Sequence, residues 1–279
     1  MLPMSPIPGY DLIHALGGGP LTCVWAAREV ASDIPVAVKF ARPDCDDPAL
    51  AAALMAREAR AGMAVRHPHL VRIRAAALEP PAPHLVMDLL PGESLRDRLR
   101  RDYRLDVATA LWVARQVAEA LAALHRAGFA HGDVKPENIR LTDSGTAVLI
   151  DLGFAHRAGE NDELLARGVI LGTANYLAPE ACSLTPDSDE GADVFSLGVT
   201  LFEMLTGTLP YALGTTGETL RTHRDGRAAG LRDRPGDWPS ALTEWMARLL
   251  AKRPANRPDS ARVVRDAVAL EIALLRRSA

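Results

Sequence analysis

The fold of this sequence is decided by one stretch, His131-Gly132-Asp133-Val134-Lys135-Pro136-Glu137-Asn138. Packing requirements explain little of it. It places a carboxylate, Asp133, a fixed cation, Lys135, and an amide, Asn138, in a turn that follows a long helical pattern. Phosphoryl transfer needs such a set, because a carboxylate orients a hydroxyl nucleophile and cations neutralise the transferring phosphate. On these residues alone, a polar loop with Asp and Asn as turn formers is the alternative.

A second carboxylate follows along the chain, at the end of a short apolar run. Residues 147–150 are typical of a buried strand, and Asp151-Leu152-Gly153 comes directly after them. A carboxylate followed by glycine suits a magnesium ligand whose backbone must turn sharply. A hairpin over residues 139–150, turning at Asp143-Ser144-Gly145, brings this aspartate back to the first stretch. The sequence therefore predicts one polar site built from both segments.

Further motifs occur in the order typical of one family, and the chain resembles a eukaryotic-like, bacterial-type serine/threonine protein kinase catalytic domain. Residues 16–24 resemble the glycine-rich loop, although Thr22 stands where that loop has its third glycine. Val36-Ala37-Val38-Lys39 resembles the third-strand lysine motif, and Glu58 resembles the helix residue that pairs with its lysine. Residues 172–180 resemble the end of the activation segment.

Three later features extend the resemblance to the C-terminal part of the chain. Asp151-Leu152-Gly153 resembles the metal-binding aspartate motif, with leucine in place of phenylalanine. Asp193 resembles the buried helix aspartate that anchors the catalytic loop. Arg257 is the expected partner of Glu180. The matching motifs span nearly the whole chain, which makes the resemblance specific although several of them are weak singly.

The resemblance implies a role for each matching residue. Asp133 is the expected catalytic base, and the other residues with expected catalytic roles are Lys39, Glu58, Lys135 and Thr173. Asn138 and Asp151 are expected to hold a divalent metal, Mg²⁺ or Mn²⁺. The residues expected to line the ATP site are Leu16, Gly17, Gly18, Gly19, Val24, Ala37, Lys39, Met87, Asp88, Leu90, Glu93 and Arg140.

The expected fold class is α+β, with two lobes in a protein-kinase-like arrangement. Residues 10–88 form an N-lobe with an antiparallel sheet and one helix, 89–92 a hinge, and 93–272 a mainly helical C-lobe. The kinase domain then spans residues 10–272. Periodicity predicts strands at 10–16, 22–28, 36–40, 70–75 and 84–88, and helices at 48–65, 106–127, 192–206, 239–251 and 259–277.

Two departures from the family pattern agree with each other. Gly132 stands where many regulated kinases have an arginine that pairs with a phosphorylated residue of the activation segment. Residues 152–172 contain no Ser, Thr or Tyr, and they carry Glu160, Asp162 and Glu163 instead. We expect that activity does not depend on phosphorylation of this segment. The alternative for the acidic residues is that they only keep a loop solvated.

Two side chains near the expected site, Arg140 and Glu137, leave alternatives open. Arg140 occupies a position that usually carries an apolar residue beneath adenine. It either lays its aliphatic stem there or weakens nucleotide binding. Glu93 is expected to face the ribose. Glu137 either favours basic residues in the substrate or is only a solvated charge.

Two other functions compete with a protein kinase. Small-molecule phosphotransferases of the aminoglycoside and choline type share the fold and often read His-Gly-Asp at this place. Lys135, Asp193 and Arg257 favour the protein kinases. A nucleotide-binding pseudokinase scaffold is the third reading, which Thr22 and Arg140 keep open.

Composition and charge argue against several classes of protein. The formal net charge of -3 makes nucleic-acid binding by phosphate neutralisation unexpected. The three scattered cysteines fit neither a zinc site nor a disulfide scaffold, so we expect a reducing, cytoplasmic location. Apolar stretches are interrupted by charge, and neither a membrane span nor a signal peptide is expected. The expected partners are ATP, a protein substrate with a Ser or Thr hydroxyl, and a regulatory partner protein.

Overall fold

The first strands of the chain pair into one antiparallel sheet of five strands, in the order β1-β2-β3-β5-β4. The computed structural model describes residues 7–80, 82–161, 172–182, 190–212 and 214–278. The five strands are β1 (Tyr10–Gly18), β2 (Thr22–Glu29), β3 (Pro35–Ala41), β4 (Ile73–Ala77) and β5 (His84–Asp88). This sheet confirms the predicted architecture of the N-lobe.

Strand β3 lies at the centre of the sheet, and its alternation separates two apolar layers. Val36 and Val38 pack in one cluster, whereas Ala37 packs in another that includes Met55. Because successive side chains of a strand point to opposite faces, Lys39 shares the face of Ala37. The alternation of side chains along β3 thus places Lys39 on the face of the sheet that is covered by a helix.

That helix is α1 (Pro48–Ala64), and its sequence explains where it begins. The Asp47 side chain accepts a hydrogen bond from Leu50 N over 2.9 Å, and proline occupies the first turn. The alanine-rich interior has high helix propensity. Its buried residues include Met55 and Glu58, so a charged side chain enters the interior beside an apolar one.

The C-terminal lobe is mainly helical, as predicted. Its described α-helices are α2 (Leu95–Asp102), α3 (Val107–Arg126), α4 (Glu190–Thr206), α5 (Thr216–Asp225), α6 (Ser240–Leu249) and α7 (Ser260–Ser278). Helix α3 supplies the centre of the core, since Val113, Val117, Leu121 and Leu124 are at most 2% exposed. Because α3 is surrounded by other elements of the lobe, it positions the loop that follows it.

Helix α3 is also long and apolar enough to cross a membrane, judged by length and composition alone. Arg115 and Glu119 interrupt the helix with charge, as expected from the sequence, but two charged residues do not take it outside this test. Within the structure, 67% of its most apolar window is buried. The core helix of a folded lobe passes the same test, so the finding is weak evidence for a membrane span.

A second, three-stranded sheet lies next to the polar site. It consists of β6 (Glu93–Ser94), β7 (Ile139–Leu141) and β8 (Ala147–Leu149), in that order. Strands β7 and β8 form the predicted hairpin, with Ile139 opposite Leu149. This pairing brings the end of the first polar stretch back to the beginning of the second.

The main differences from the prediction concern two helices and the start of one strand. Helices α2 and α5 were not predicted, because both are short and mostly polar and so carry little apolar periodicity. Each begins at a capping side chain, Ser94 in α2 and Thr215 in α5. Strand β4 begins at Ile73 rather than at residue 70, and Leu70 instead forms an isolated bridge with Leu149.

Candidate active site

The loop after α3 is held in place by a carboxylate on another helix. Asp193 of α4 is 1% exposed and accepts hydrogen bonds from His131 N over 2.7 Å and from Gly132 N over 2.9 Å. His125 Nε2 lies 2.9 Å from the same carboxylate. Burial raises the pKa of Asp193, but the hydrogen bond and the charge of His125 outweigh burial and lower it. The buried carboxylate thus fixes the backbone directly before Asp133.

Asp133 lies at the centre of a cluster that contains most of the residues expected from the first stretch. Its Oδ1 accepts a hydrogen bond from Thr173 Oγ1 over 2.8 Å, and its Oδ2 accepts one from Asn138 Nδ2 over 2.9 Å. Lys135 Nζ lies 2.6 Å from Asp133 Oδ2 and donates to Thr173 Oγ1 over 2.6 Å. Asp133 is only 5% exposed, so these contacts satisfy a carboxylate that has little access to water.

One residue of the stretch had no role assigned from the sequence. His131 is fully buried, and its Nδ1 accepts a hydrogen bond from Asp133 N over 3.2 Å. Its Nε2 lies 3.3 Å from Ile150 O, and only the tautomer protonated at Nε2 can donate there. The histidine therefore links the backbone of Asp133 to the backbone of Ile150, directly before Asp151.

Asp151 lies two residues after the end of β8, and its backbone has a conformation that non-glycine residues rarely adopt, with φ +64°. Lys39 Nζ lies 2.8 Å from Asp151 Oδ1, and Gly153 N donates to the same oxygen over 3.2 Å. Burial raises the pKa of Asp151, but the charge and hydrogen bond of Lys39 outweigh burial and lower it to about 2. The side chain is 41% exposed, so it remains open on the side toward the cleft.

Lys39 pairs with Glu58 as well as with Asp151. Its Nζ lies 2.6 Å from Glu58 Oε2, and the two side chains are 8% and 1% exposed. Burial lowers the pKa of Lys39, but the two carboxylates outweigh burial and raise it. Burial raises the pKa of Glu58 and exceeds the opposing attraction of Lys39. Two carboxylates share one ammonium group, so the cluster carries net negative charge where a cation can be bound.

Four residues expected to line the nucleotide pocket lie in one apolar cluster. Ala37 and Met87 are buried members of this cluster, and Val24 and Leu90 pack against it from partly exposed positions. Ala37 and Met87 are also directly opposite each other in the β3–β5 pair. Among the described residues, the backbone N–H and C=O of Leu90 have no hydrogen-bond partner, so both stay available to the edge of an adenine ring.

The glycine-rich turn between β1 and β2 depends on Gly18. Its φ is +156°, and a Cβ at this position would lie 2.4 Å from Thr22 O. Gly19 N donates to the same Thr22 oxygen over 2.9 Å, which closes the turn. Thr22 therefore takes part in the turn through its backbone. Leu16, at the other end of the loop, is 43% exposed.

The side chains of three expected nucleotide contacts already have protein partners. Arg140 Nη2 donates to Gly92 O, whereas its buried Nε has no partner among the described residues. Glu93 accepts two hydrogen bonds from Arg101 of α2, over 2.6 and 2.9 Å. The Asp88 carboxylate is paired with an arginine of β4 over 2.5 Å. The contact expected of Asp88 is made by its backbone, whose N–H donates to Arg72 O over 3.1 Å. Contacts of the Arg140 and Glu93 side chains and of the Asp88 backbone with a nucleotide stay predictions.

Arg96 of α2, which the sequence analysis did not identify, lies beside the loop of residues 131–138. Arg96 Nε donates to Glu137 over 2.7 Å, and its Nη1 donates to Glu203 over 2.7 Å. Tyr176 OH donates to the other oxygen of Glu203 over 2.6 Å. The carboxylate of Glu137 is therefore already paired. No sequence signal indicated Arg96, because α2 itself was not predicted.

The oxygen atoms at the site fit a hard divalent cation. Asn138 uses its Nδ2 to donate to Asp133 O and Oδ2, which leaves its Oδ1 as an acceptor. Asp151 adds a carboxylate that is partly open to the cleft. No group of three or more His, Cys, Asp and Glu residues suited to a metal occurs in the described part of the chain.

Comparisons with known proteins agree with this geometry. Residues 10–268 match the family model described as "Protein kinase domain". The chain is 36% identical over 252 residues to "Serine/threonine-protein kinase PknD" of Mycobacterium tuberculosis, a match that covers 89% of the chain and 37% of that protein. It is 35% identical over 264 residues to "Serine/threonine-protein kinase PkaB" of Streptomyces coelicolor, covering 89% and 60%. The chain thus spans less than two thirds of the length of these curated relatives.

Proposed function

The chain belongs to the protein kinase family, and we propose that it transfers the γ-phosphate of ATP to a serine or threonine hydroxyl of a protein. One observation carries the proposal: Thr173 donates its hydroxyl to Asp133 over 2.8 Å, with Lys135 Nζ 2.6 Å from each of them. The Thr173 hydroxyl shows that a threonine side chain can donate to this carboxylate. A substrate hydroxyl presented to Asp133 meets the same acceptor and the same neighbouring cation.

The proposed reaction assigns a proton and a phosphoryl group to named atoms. Asp133 accepts a hydrogen bond from the substrate hydroxyl and then takes its proton. The hydroxyl oxygen forms a bond to the γ-phosphorus, the bond between that phosphorus and the β–γ bridging oxygen breaks, and ADP leaves with the electron pair. Lys39 and Lys135 stabilise the phosphate charge. Because the transition state is loose, positioning and electrostatics supply most of the rate.

Two residues of the chain are suited to hold the divalent cation that the family uses. Asp151 and Asn138 present the carboxylate and amide oxygens, and we propose Mg²⁺ or Mn²⁺ as the ion. When bound, such a cation neutralises charge on the phosphates. When no cation is bound, Lys39 keeps Asp151 ionised, since the lysine lowers the pKa of this carboxyl to about 2.

The proposal extends to regulation: activity does not require phosphorylation of residues 152–172. The absence of Ser, Thr and Tyr from this segment supports it. The backbone of Gly132 supports it independently, because its φ is +81° and a Cβ there would lie 2.8 Å from Phe154 O. An arginine at this position would require the loop to shift. Asp162 and Glu163 lie outside the described residues.

One observation favours a second candidate, a scaffold that binds nucleotide without turnover. Arg140 lies on β7 at the expected adenine position, and its guanidinium is bonded to Gly92 O with one buried nitrogen unpaired among the described residues. A charged side chain with an unsatisfied nitrogen is an unusual floor for a nucleotide pocket. Turnover distinguishes this scaffold from an enzyme.

The test is incubation of the purified chain with radiolabelled ATP and Mg²⁺, with a generic basic protein, an aminoglycoside or choline as acceptor. We expect label on protein, and a loss of at least about 100-fold in Asp133→Asn, since a general base contributes that much. Asp143→Asn, in the exposed turn of the β7–β8 hairpin, is the matched control. Binding of a fluorescent nucleotide should persist in both variants.

Other outcomes would replace the proposal. Label that appears only on the aminoglycoside or choline would assign a small-molecule phosphotransferase. Nucleotide binding without label on any acceptor would assign a scaffold. Exhaustive phosphatase treatment should leave the rate unchanged. A large loss of rate that maps to residues 152–172 would contradict independence from phosphorylation.

A further inference from the structure

An acidic residue of the segment after Asp151 is bonded to helix α1. The Glu160 carboxylate accepts two hydrogen bonds from Arg60, over 2.9 and 2.5 Å. It also accepts one from Arg157 N over 2.8 Å, which folds the segment back on itself. The two oxygens of Glu160 thus bind one guanidinium group in a bidentate pair, the strongest geometry available to such groups.

A second arginine of α1 reinforces the contact. Arg57 donates to Glu160 O over 2.8 Å and to Asn161 Oδ1 over 2.8 Å. Asn161 is 3% exposed, so this amide is buried with its partner rather than solvated. Two consecutive residues of the segment are therefore held by two arginines one helical turn apart.

Both arginines flank the residue that reaches the cleft. Glu58 lies between Arg57 and Arg60 in α1, and it holds Lys39 over 2.6 Å. The three residues lie within about one turn of one continuous α-helix, whose backbone hydrogen bonds fix their positions relative to one another. A rotation that separates Arg60 from Glu160 therefore also displaces Glu58 from Lys39.

The other side of the segment contacts the loop that follows α3 and leads into Asp133. His156 and Ala130 exchange two backbone hydrogen bonds, over 2.9 and 3.1 Å. The guanidinium of Arg157 lies 4.2 Å from the centre of the Phe129 ring, and that of Arg60 lies 5.7 Å from it. The contacts of Glu160 thus connect α1 to the backbone that leads into Asp133.

We propose that Glu160 is a positioning residue that, through Arg60 and Arg57, holds helix α1 where Glu58 reaches Lys39. The inference deepens the proposed kinase function and rests on it. In this proposal the carboxylate of Glu160 does what a phosphate on the activation segment does in a regulated kinase: it keeps the residues of the cleft in place. Phosphorylation of this segment is then not needed. The Arg60 and Glu160 side chains are 46% and 28% exposed, so solvent screening limits what their pair adds to global stability despite its bidentate geometry. Its effect on catalysis is therefore separable from an effect on folding.

A double-mutant cycle tests the proposal with Glu160→Gln, Arg60→Gln and the combined variant. Each single variant should lower kcat about tenfold, while the KM for the protein substrate and the melting temperature stay unchanged. The combined variant should lose no more than either single variant, because each removes the same contact. Glu160→Asp, which keeps the charge, should retain more activity than Glu160→Gln.

The matched control is Asp33→Asn, which removes the carboxylate of an exposed ion pair with Arg28 in the β2–β3 hairpin. Asn tolerates the positive φ of this position, and kcat should not change. Retention of kcat in the single variants, or additive losses in the combined one, would overturn the proposal.

Hydrogen exchange of α1 provides a readout that does not depend on turnover. Amides of α1 should exchange faster in Glu160→Gln than in wild type, and unchanged exchange would overturn the positioning role. This readout decides the inference even if the wild type transfers no phosphate. If the wild type transfers no phosphate but α1 exchanges faster in Glu160→Gln, the proposed kinase function is wrong, whereas the inference that Glu160 holds α1 in place still stands.

Discussion

Arg257 donates two hydrogen bonds to the carboxylate of Glu180, over 2.5 and 2.9 Å, although the two residues are 77 positions apart. Their side chains are 1% and 12% exposed. The remaining donors of Arg257 reach backbone oxygens of Gly191, Ala251 and Lys252. The pair thus fastens the end of the activation segment to the C-terminal part of the helical lobe, with every charge compensated.

Arg257→Met should lower the free energy of unfolding by about 3–5 kcal/mol, because it leaves the carboxylate of Glu180 without its partner in a mostly buried setting. Urea denaturation monitored by circular dichroism measures this change. Arg253→Met replaces an exposed arginine nearby and should change stability by less than about 0.5 kcal/mol. Equal stability of the two variants would show that the Glu180–Arg257 pair is not structural.

Lys39→Met should abolish phosphate transfer and also destabilise the fold, because Glu58 then lies buried without a counter-charge. Adding Glu58→Leu to this variant removes the buried carboxylate. The double variant should recover thermal stability relative to Lys39→Met but no activity. Melting curves and transfer assays on the same samples separate the two effects. If the double variant is no more stable than Lys39→Met, the unpaired carboxylate of Glu58 does not destabilise the fold, and the argument from its burial is wrong.

Gly132→Ala should destabilise the protein by about 1–3 kcal/mol, the usual strain of a non-glycine residue forced into a rare backbone conformation. The new Cβ would also meet Phe154 O at 2.8 Å, and Asp133 follows directly, so kcat should fall as well. Gly217→Ala, in α5, is the control, because nothing lies within 4 Å of a Cβ there. That change should leave stability equal or slightly higher, and an equal loss in both variants would contradict the argument.

The contribution of Asp151 to stability should depend on pH in the acidic range. Its pKa is lowered from 3.8 to about 2 in the folded protein, because Lys39 outweighs burial. A depressed pKa contributes stability that is fully present above the unfolded value and is lost as the pH falls through the folded value. The difference in unfolding free energy between wild type and Asp151→Asn should therefore be constant above about pH 4 and shrink toward about pH 2. A difference that stays constant over this range would contradict the assignment.

Much of the fold followed from local patterns in the sequence. Alternation and turn residues predicted the five strands of the first sheet, and apolar periodicity predicted α1, α3, α4, α6 and α7. The helices α2 and α5 were missed, because they are short and most of their residues are polar, so that only two leucines of α2, Leu95 and Leu99, enter the core. The order of motifs placed Asp133, Lys135, Asn138 and Thr173 in one site, and the structure brings these four together.

The sequence by itself determined which chemical groups the cleft contains, because motif spacing along a strand or loop is a local property. The pairing of Lys39 with Glu58 was expected from the motifs, but only the tertiary structure decided which further groups meet. Asp151 shares the ammonium group of Lys39, and Arg60 pairs with Glu160 at a separation of 100 positions. Such pairings depend on the relative placement of the helix, the sheet and the loop. The packing of both lobes fixes that placement, and no local pattern encodes it.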